Sequence, residues 1–213
     1  MRVEEGGARV GRLDLPWIGG GCPAAACVGY AMSLVMTNRV RLAREDDAAL
    51  LPAVERSAAR SFRIIPGLDW IAEGDVVDEA VHLSRIRSGT CWVAVDEQDT
   101  PIGFLSAEAI EERALHIYEM SVIETSQGQG VGRALLTAAI EWAVTNHLTA
   151  LTLTTFRHVP WNMPLYSRLG FKVLSMSHLD ARLATLLRKE VESGFAAGTR
   201  CAMRLSLDDG AQS

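Results

Sequence analysis

Residues 119–136 read Glu119-Met-Ser-Val-Ile-Glu-Thr-Ser-Gln127-Gly-Gln-Gly130-Val-Gly132-Arg-Ala-Leu-Leu136. The first part is strand-like, the middle is a glycine-rich turn, and the end opens an amphipathic helix. Gly128, Gly130 and Gly132 strip Cβ atoms from the turn, so backbone N–H groups can converge on one ligand. Those groups stand at a helix N-terminus, where the dipole adds about half a positive charge. The segment predicts a cradle for a phosphate or pyrophosphate; the rival reading is a turn that only packs a helix. A P-loop requires a Gly-Lys pair, and the chain has none. A G-x-G-x-x-G fingerprint would need glycine at 133 or 135, where Arg133 and Leu135 stand. The next strand also ends Thr154-Thr155-Phe156, without the acid that a dinucleotide fold places there.

Outward from this segment the pattern is α/β. Arg39–Ala43 reads as a short strand, and Asp46 or Asp47 as the cap of a helix running to Phe62 with Pro52 as a kink. A second helix covers roughly Asp75–Arg87. Cys91–Asp96 and Ile102–Ser106 read as a hairpin joined at Asp99-Thr-Pro101, and Leu115–Val122 as a longer strand. The helix from Gly132 or Arg133 to Asn146 carries Leu135, Leu136, Ala139, Ile140, Ala143 and Val144 on one stripe. Ala150–Thr155 is a strand, Phe171–Met176 another, Leu179–Glu192 a helix and Arg200–Leu207 a last strand.

The first 35 residues differ: they hold seven of the 18 glycines, and no charged residue occurs from Leu15 through Asn38. Glu4, Glu5 and Asp14 spoil the basic start of a signal peptide, and Gly19-Gly-Gly21 breaks its apolar core. Gly, Pro and Ala dominate where a membrane span needs about 20 strongly apolar residues. We expect residues 1–35 to be a poorly structured extension upstream of a natural start at Met32 or Met36, and residues 36–213 to form one domain.

Over the whole chain, 21 basic residues face 26 acidic ones, a net charge of −5, which makes nucleic acid or an anionic membrane an unfavoured partner. Only Lys172 and Lys189 are lysines, which with abundant Ala suggests a GC-rich, bacterial-type genome. Cys22, Cys27, Cys91 and Cys201 make no C-x-x-C pair and have no histidine at metal-ligand spacing, as expected of free thiols in a reducing cytoplasm.

Gln127-Gly-Gln-Gly130-Val-Gly132 resembles the Q/R-x-x-G-x-G/A signature of the GNAT superfamily, the acyl-CoA-dependent N-acyltransferases. Trp161-Asn-Met-Pro-Leu-Tyr166-Ser-Arg-Leu-Gly-Phe171 resembles a second motif of that family, and the element order from Arg39 to Leu207 fits it too. The resemblance implies a mixed, mostly antiparallel sheet flanked by helices, with a parallel strand pair that splays to form the coenzyme A cleft. It implies acetyl-CoA as co-substrate, a primary amine of a small molecule as acceptor, direct transfer in a ternary complex, and no metal. Protein N-terminal or lysine acetylation, and a non-catalytic coenzyme A sensor, are the alternatives. A homodimer is another expectation, with Ala202–Ser206 as a candidate pairing edge.

Residue by residue, Met120 and Val122 would present backbone groups to the pantetheine arm. Gln127, Gly128, Gln129, Gly130, Val131, Gly132, Arg133 and Ala134 would enclose the pyrophosphate. Asn162 would bond the cofactor or cap the helix bearing Tyr166, which would meet the thioester sulfur as acid or hydrogen-bond donor. An alkylamine near pKa 10 is almost fully protonated at neutral pH, so a base is useful; Glu119 is the first candidate and His116 the second, and the third reading is that no dedicated base exists. Phe62, Trp70, Phe156 and Trp161 are candidate pocket walls, and Glu55 and Asp69 candidate cation partners. The family's spacing from Asn to Tyr is often longer; here only four positions separate Asn162 from Tyr166, with Pro164 between. Deletion of residues 1–35 is expected to leave the fold and activity intact, which circular dichroism and turnover of the truncated chain would check.

Overall fold

The computed structural model describes residues 39–110 and 113–207, so the expectations for residues 1–35, Cys22 and Cys27 lie outside the described residues. In chain order the elements are β1 (Arg39–Leu42), α1 (Leu51–Ala59), α2 (Glu79–Arg87), β2 (Cys91–Val95), β3 (Pro101–Ile110), β4 (Ala114–Val122), α3 (Val131–Thr145), β5 (Ala150–Phe156), α4 (Met163–Arg168), β6 (Lys172–Val173), α5 (Ala181–Glu192) and β7 (Arg200–Ser206). The strands form one sheet in the order β1-β2-β3-β4-β5-β7-β6. Every pairing is antiparallel except β4 with β5.

Several boundaries depart from the pattern reading. Pro52 does not kink a long helix; it sits in the first turn of α1, where its missing N–H is harmless. Asp47 does not cap that helix. Its carboxylate accepts from the Arg41 guanidinium (2.7 and 3.0 Å) and the Arg44 N–H (2.7 Å), closing a separate 3-10 turn over Glu45–Asp47. The second helix begins at Glu79, not near Asp75. Val144 lies off the buried stripe of α3, at 54% exposure. The strand expected over Phe171–Met176 shrinks to Lys172–Val173. The candidate dimer edge at Ala202–Ser206 is not an edge: β7 pairs with β5 along its length and with β6 at Met203 and Arg204.

Two apolar layers pin the sheet. On one face, Leu135, Leu136 and Ala139 of α3 pack on Leu105, Leu115, Ile117 and Leu153, with Tyr166 and Phe171 completing the cluster. On the other, Leu51 and Val54 of α1 and Ile86 of α2 pack on Val93 and Phe104.

The feature that matters for function lies in β4. Ala107 pairs with Ile117, but Ser106 pairs with Glu119, so Tyr118 is an inserted residue, a β-bulge. On the other side, β4 pairs with β5 only from Ala114↔Ala150 to Ile117↔Leu153. Beyond that point β4 continues along β3 and β5 along β7, and the parallel pair separates.

The splayed end is closely backed. A Cβ at Gly103 would lie 3.0 Å from the Ser121 carbonyl oxygen and 3.1 Å from Val122 Cγ2. Gly103→Ala is therefore expected to lower stability by about 1–3 kcal/mol, as overpacking does, which equilibrium unfolding in urea would measure.

Candidate active site

A cavity of about 680 Å³ opens where β4 and β5 part. One wall is the glycine turn. Gly128 and Gly130 have φ of 73° and 83°, a left-handed region that L-residues seldom adopt, and this geometry turns the chain from β4 into α3. The first helical hydrogen bond runs from the Ala134 N–H to the Gly130 carbonyl (3.0 Å). The N–H groups ahead of it belong to the free first turn of α3. Gln127 braces the turn: its side-chain amide donates to the Val122 carbonyl (2.9 Å), and its Oε1 accepts from the Ser61 hydroxyl (2.8 Å). Gly128, Gly130, Val131, Gly132 and Arg133 line the cavity, as do Met120 and Val122. Among the described residues, Gln129 and Ala134 lie outside its wall; the Gln129 amide donates to the Thr125 carbonyl (2.8 Å).

A second wall comes from α4. Asn162 holds the N-cap position, yet its side chain does not cap: Nδ2 donates to Thr155 Oγ1 on β5 (3.0 Å). Pro164 falls in the first turn, where it is tolerated, so the short spacing from Asn162 to Tyr166 costs the helix nothing. Tyr166 is 8% exposed, stacked edge-on against Phe171 (5.7 Å), and lines the cavity. Burial pushes its phenol up to about 12, with Glu119 adding to the rise.

The bulge decides where Glu119 points. Cross-strand partners share a face, and Ser106, opposite Glu119, receives the Arg85 guanidinium of α2 (3.2 Å). Glu119 therefore stands on the α1/α2 face. With unbroken alternation it would oppose Leu105 and face the apolar layer under α3, because a one-residue slip reverses every side chain. Its carboxylate accepts from the Ser121 hydroxyl (2.9 Å). Burial first, and the charge of Glu55 second, raise its pKa to about 7; Ser121 and Arg85 oppose the rise.

His116 does not join this group. It lies on the still-paired part of β4, is 1% exposed, meets Thr152 Oγ1 through Nδ1 (2.9 Å) and is absent from the cavity wall. Burial, then Arg182, pushes it down to about 3, so it stays neutral. Of the four candidate aromatic walls, Phe62 and Trp161 line the cavity, while Trp70 and Phe156 do not; Trp70 packs on Phe195 at 5.1 Å and Phe156 on Phe62 at 5.5 Å. Glu55 lines the cavity and Asp69 does not. His82, which the pattern reading did not single out, lies fully buried on α2 beside Glu55. A lone histidine on a helix carries no signal in one sequence. Cys91 and Cys201 are buried free thiols. Among the described residues, no helix is long and apolar enough to cross a membrane.

The chain is similar to human N-acetylaspartate synthetase, 28% identical over 158 residues, covering 72% of this chain and 48% of that protein. It thus spans about half the length of that relative. It is also similar to the peptidyl-lysine N-acetyltransferase YjaB of Salmonella typhimurium, 25% identical over 145 residues, covering 68% of this chain and 90% of that one. In fold it resembles a phosphinothricin acetyltransferase from Sinorhizobium meliloti, solved in complex with acetyl-CoA, with a TM-score of 0.60, 19% identity, and coverage of 84% of this chain and 92% of that one. The acetyltransferase (GNAT) family matches residues 51–171. That match takes in the bulged strand, the glycine turn and the helix of Tyr166 together, and the chain belongs to the acetyltransferase (GNAT) family, a class of acyltransferases.

Proposed function

We propose that this protein transfers an acetyl group from acetyl-CoA to a primary amine of a small molecule, by direct attack within a ternary complex. One observation carries the reading: a bare glycine turn at a helix N-terminus, a half-buried carboxylate and a buried phenol line the same cavity. The residues present suit the co-substrate. The left-handed Gly128 and Gly130 leave the cradle free of side chains, and the first turn of α3 offers N–H groups and dipole to a diphosphate. Met120 and Val122 lie on the stretch of β4 that has parted from β5; Gln127 takes the Val122 carbonyl, and the other backbone groups of the pair would serve a pantetheine arm. Asn162, anchored to Thr155, is placed to bond the same arm.

Acetyl-CoA, when bound, supplies the thioester whose carbonyl carbon forms the new bond to nitrogen as its carbon–sulfur bond breaks. Glu119 receives the proton that the acceptor ammonium must lose. An ordinary carboxylate at 4.5 facing an ammonium near 10 is mismatched by about 7 kcal/mol; at about 7 the mismatch falls to about 4 kcal/mol. Tyr166 steadies the departing thiolate, which takes up the second proton that the nitrogen sheds as the amide forms. With its own pKa near 12, outright proton transfer to a thiolate near 8.5 is uphill by about 5 kcal/mol, so a hydrogen bond to the developing charge is the favourable role. Relatives named for N-acetylaspartate and for peptidyl-lysine support a primary amine as acceptor.

Detection of free thiol from acetyl-CoA against a panel of amines, aminoglycosides and lysine peptides tests the reading. Thiol release with a small amine supports it. Release with peptides alone would favour protein acetylation, and tight coenzyme A binding with no release would favour a sensor. Tyr166→Phe is expected to lower kcat at least tenfold with little change in coenzyme A affinity. Gly130→Val forces a side chain into a left-handed position and into the cradle; coenzyme A binding, by calorimetry, is expected to weaken at least tenfold. Because Glu119 accepts a proton only when ionised, kcat/KM is expected to fall as pH drops through about 7, and Glu119→Gln is expected to abolish that limb along with most of the rate.

A further inference from the structure

On the α1/α2 side the cavity has a distinct chemistry. Three carboxylates, Glu55, Asp75 and Glu119, line it there against one guanidinium, Arg56 of α1, and are set among Phe62, Ile71 and Val76. The other basic lining residues lie elsewhere. Arg133 is on α3 and Arg168 on α4, beside the glycine turn and Tyr166, and both are exposed. Arg56 follows Glu55 directly and is therefore turned about 100° round α1 from it. Arg85, the cation that acts on Glu119, is absent from the wall; it donates to Ser106 and lies over the Tyr118 ring at 5.3 Å.

Glu55 is held as well as exposed to the cavity. Its Oε2 accepts from the Val77 N–H (3.0 Å), which ties α1 to the segment leading into α2. Behind it stands His82, wholly buried, edge-on to Phe104 at 5.2 Å, with neither ring nitrogen hydrogen-bonded. A buried imidazole without a partner is costly. Its Nε2 lies 3.7 Å from Oε2 of Glu55, the carboxylate that faces the cavity, just outside hydrogen-bond range. The apposed charges of Glu55 and Glu119 repel, and a cation between them removes the repulsion.

We propose that the acceptor is a primary amine with an apolar body and no carboxylate, its ammonium received between Glu55 and Glu119, and that His82 is the positioning residue that holds Glu55. The inference rests on the acetyltransferase reading and deepens it. A carboxylate on the acceptor would meet three carboxylates, Glu55, Asp75 and Glu119, against the one exposed guanidinium of Arg56. The apolar body would lie on Phe62, Ile71 and Val76. The groups facing Glu119 are Glu55 from α1, Arg85 from α2, Cys91 from β2 and Tyr166 from α4, and of these Glu55 is the one whose negative charge favours its protonation most.

Matched pairs that differ by a carboxylate alone supply the test: phenethylamine against phenylalanine and tryptamine against tryptophan, with aspartate as a further arm. The amine is expected to exceed its amino acid at least a hundredfold in kcat/KM, and aspartate to be a poor acceptor. Glu55→Gln is expected to raise KM for phenethylamine at least tenfold with kcat within threefold, and to move the acidic limb of the pH profile to lower pH. His82→Leu is expected to raise KM similarly, and His82→Gln, which keeps a donor, to restore most of it; thermal melts check that each variant folds. Amino acids equal to or better than their amines, or an unmoved limb in Glu55→Gln, would overturn the proposal. Calorimetry of the same pairs, with and without coenzyme A, separates the two readings. Preferential amine binding without turnover sinks the acetyltransferase reading alone, whereas no preference for the amine sinks this one.

Discussion

Strand β4 contains one residue more than its partner β3 can match, and the inserted Tyr118 sets the geometry of everything around it. After it, β4 no longer pairs with β5, so a cleft opens inside the sheet. The same insertion turns Glu119 from the apolar layer beneath α3 to the face under α1 and α2. An unbulged strand would have closed the gap and buried a carboxylate among leucines, where an unpaired charge is strongly disfavoured. The opening of the cavity and the orientation of its acid are thus one structural event.

The electrostatics follow from that placement. The glycine turn presents N–H groups from one side, suited to an anion, and Glu55, Asp75 and Glu119 present carboxylates from the other, suited to a cation. A site divided in this way suits two ligands of opposite charge. Shielding from water raises both Glu119 and Tyr166. In the proposed reaction, the rise brings the acid toward an amine and, for the phenol, favours hydrogen bonding over proton release.

Much of the fold was legible because it rests on local rules. Alternation marked the strands, the 3.6-residue period marked α3, and Gly128 to Gly132 marked its start. The misreadings came where tertiary contacts overrode local preference. Asp47 is a good cap residue, but Arg41 from a neighbouring strand claims its carboxylate and α1 starts later, with Pro52 in its first turn. Asn162 stands at an N-cap, but Thr155 claims its side chain. Ala202–Ser206 looked like a free edge because nothing in one sequence tells that Lys172–Val173 will cover it.

By itself the sequence determined the α/β alternation and the glycine turn at a helix N-terminus, since each depends on residue type and short spacing; the company of Glu119, Asn162 and Tyr166, far apart in the chain, was implied by the family resemblance alone. Only the tertiary structure decided that Tyr118 is the inserted residue, that Glu119 and not His116 reaches the cavity, and that Glu55 backed by His82 stands opposite. Those outcomes depend on register between strands and on packing between helices far apart in the chain. A period-two pattern reads the same whether or not one residue has been added, while the side chains beyond it point to opposite faces.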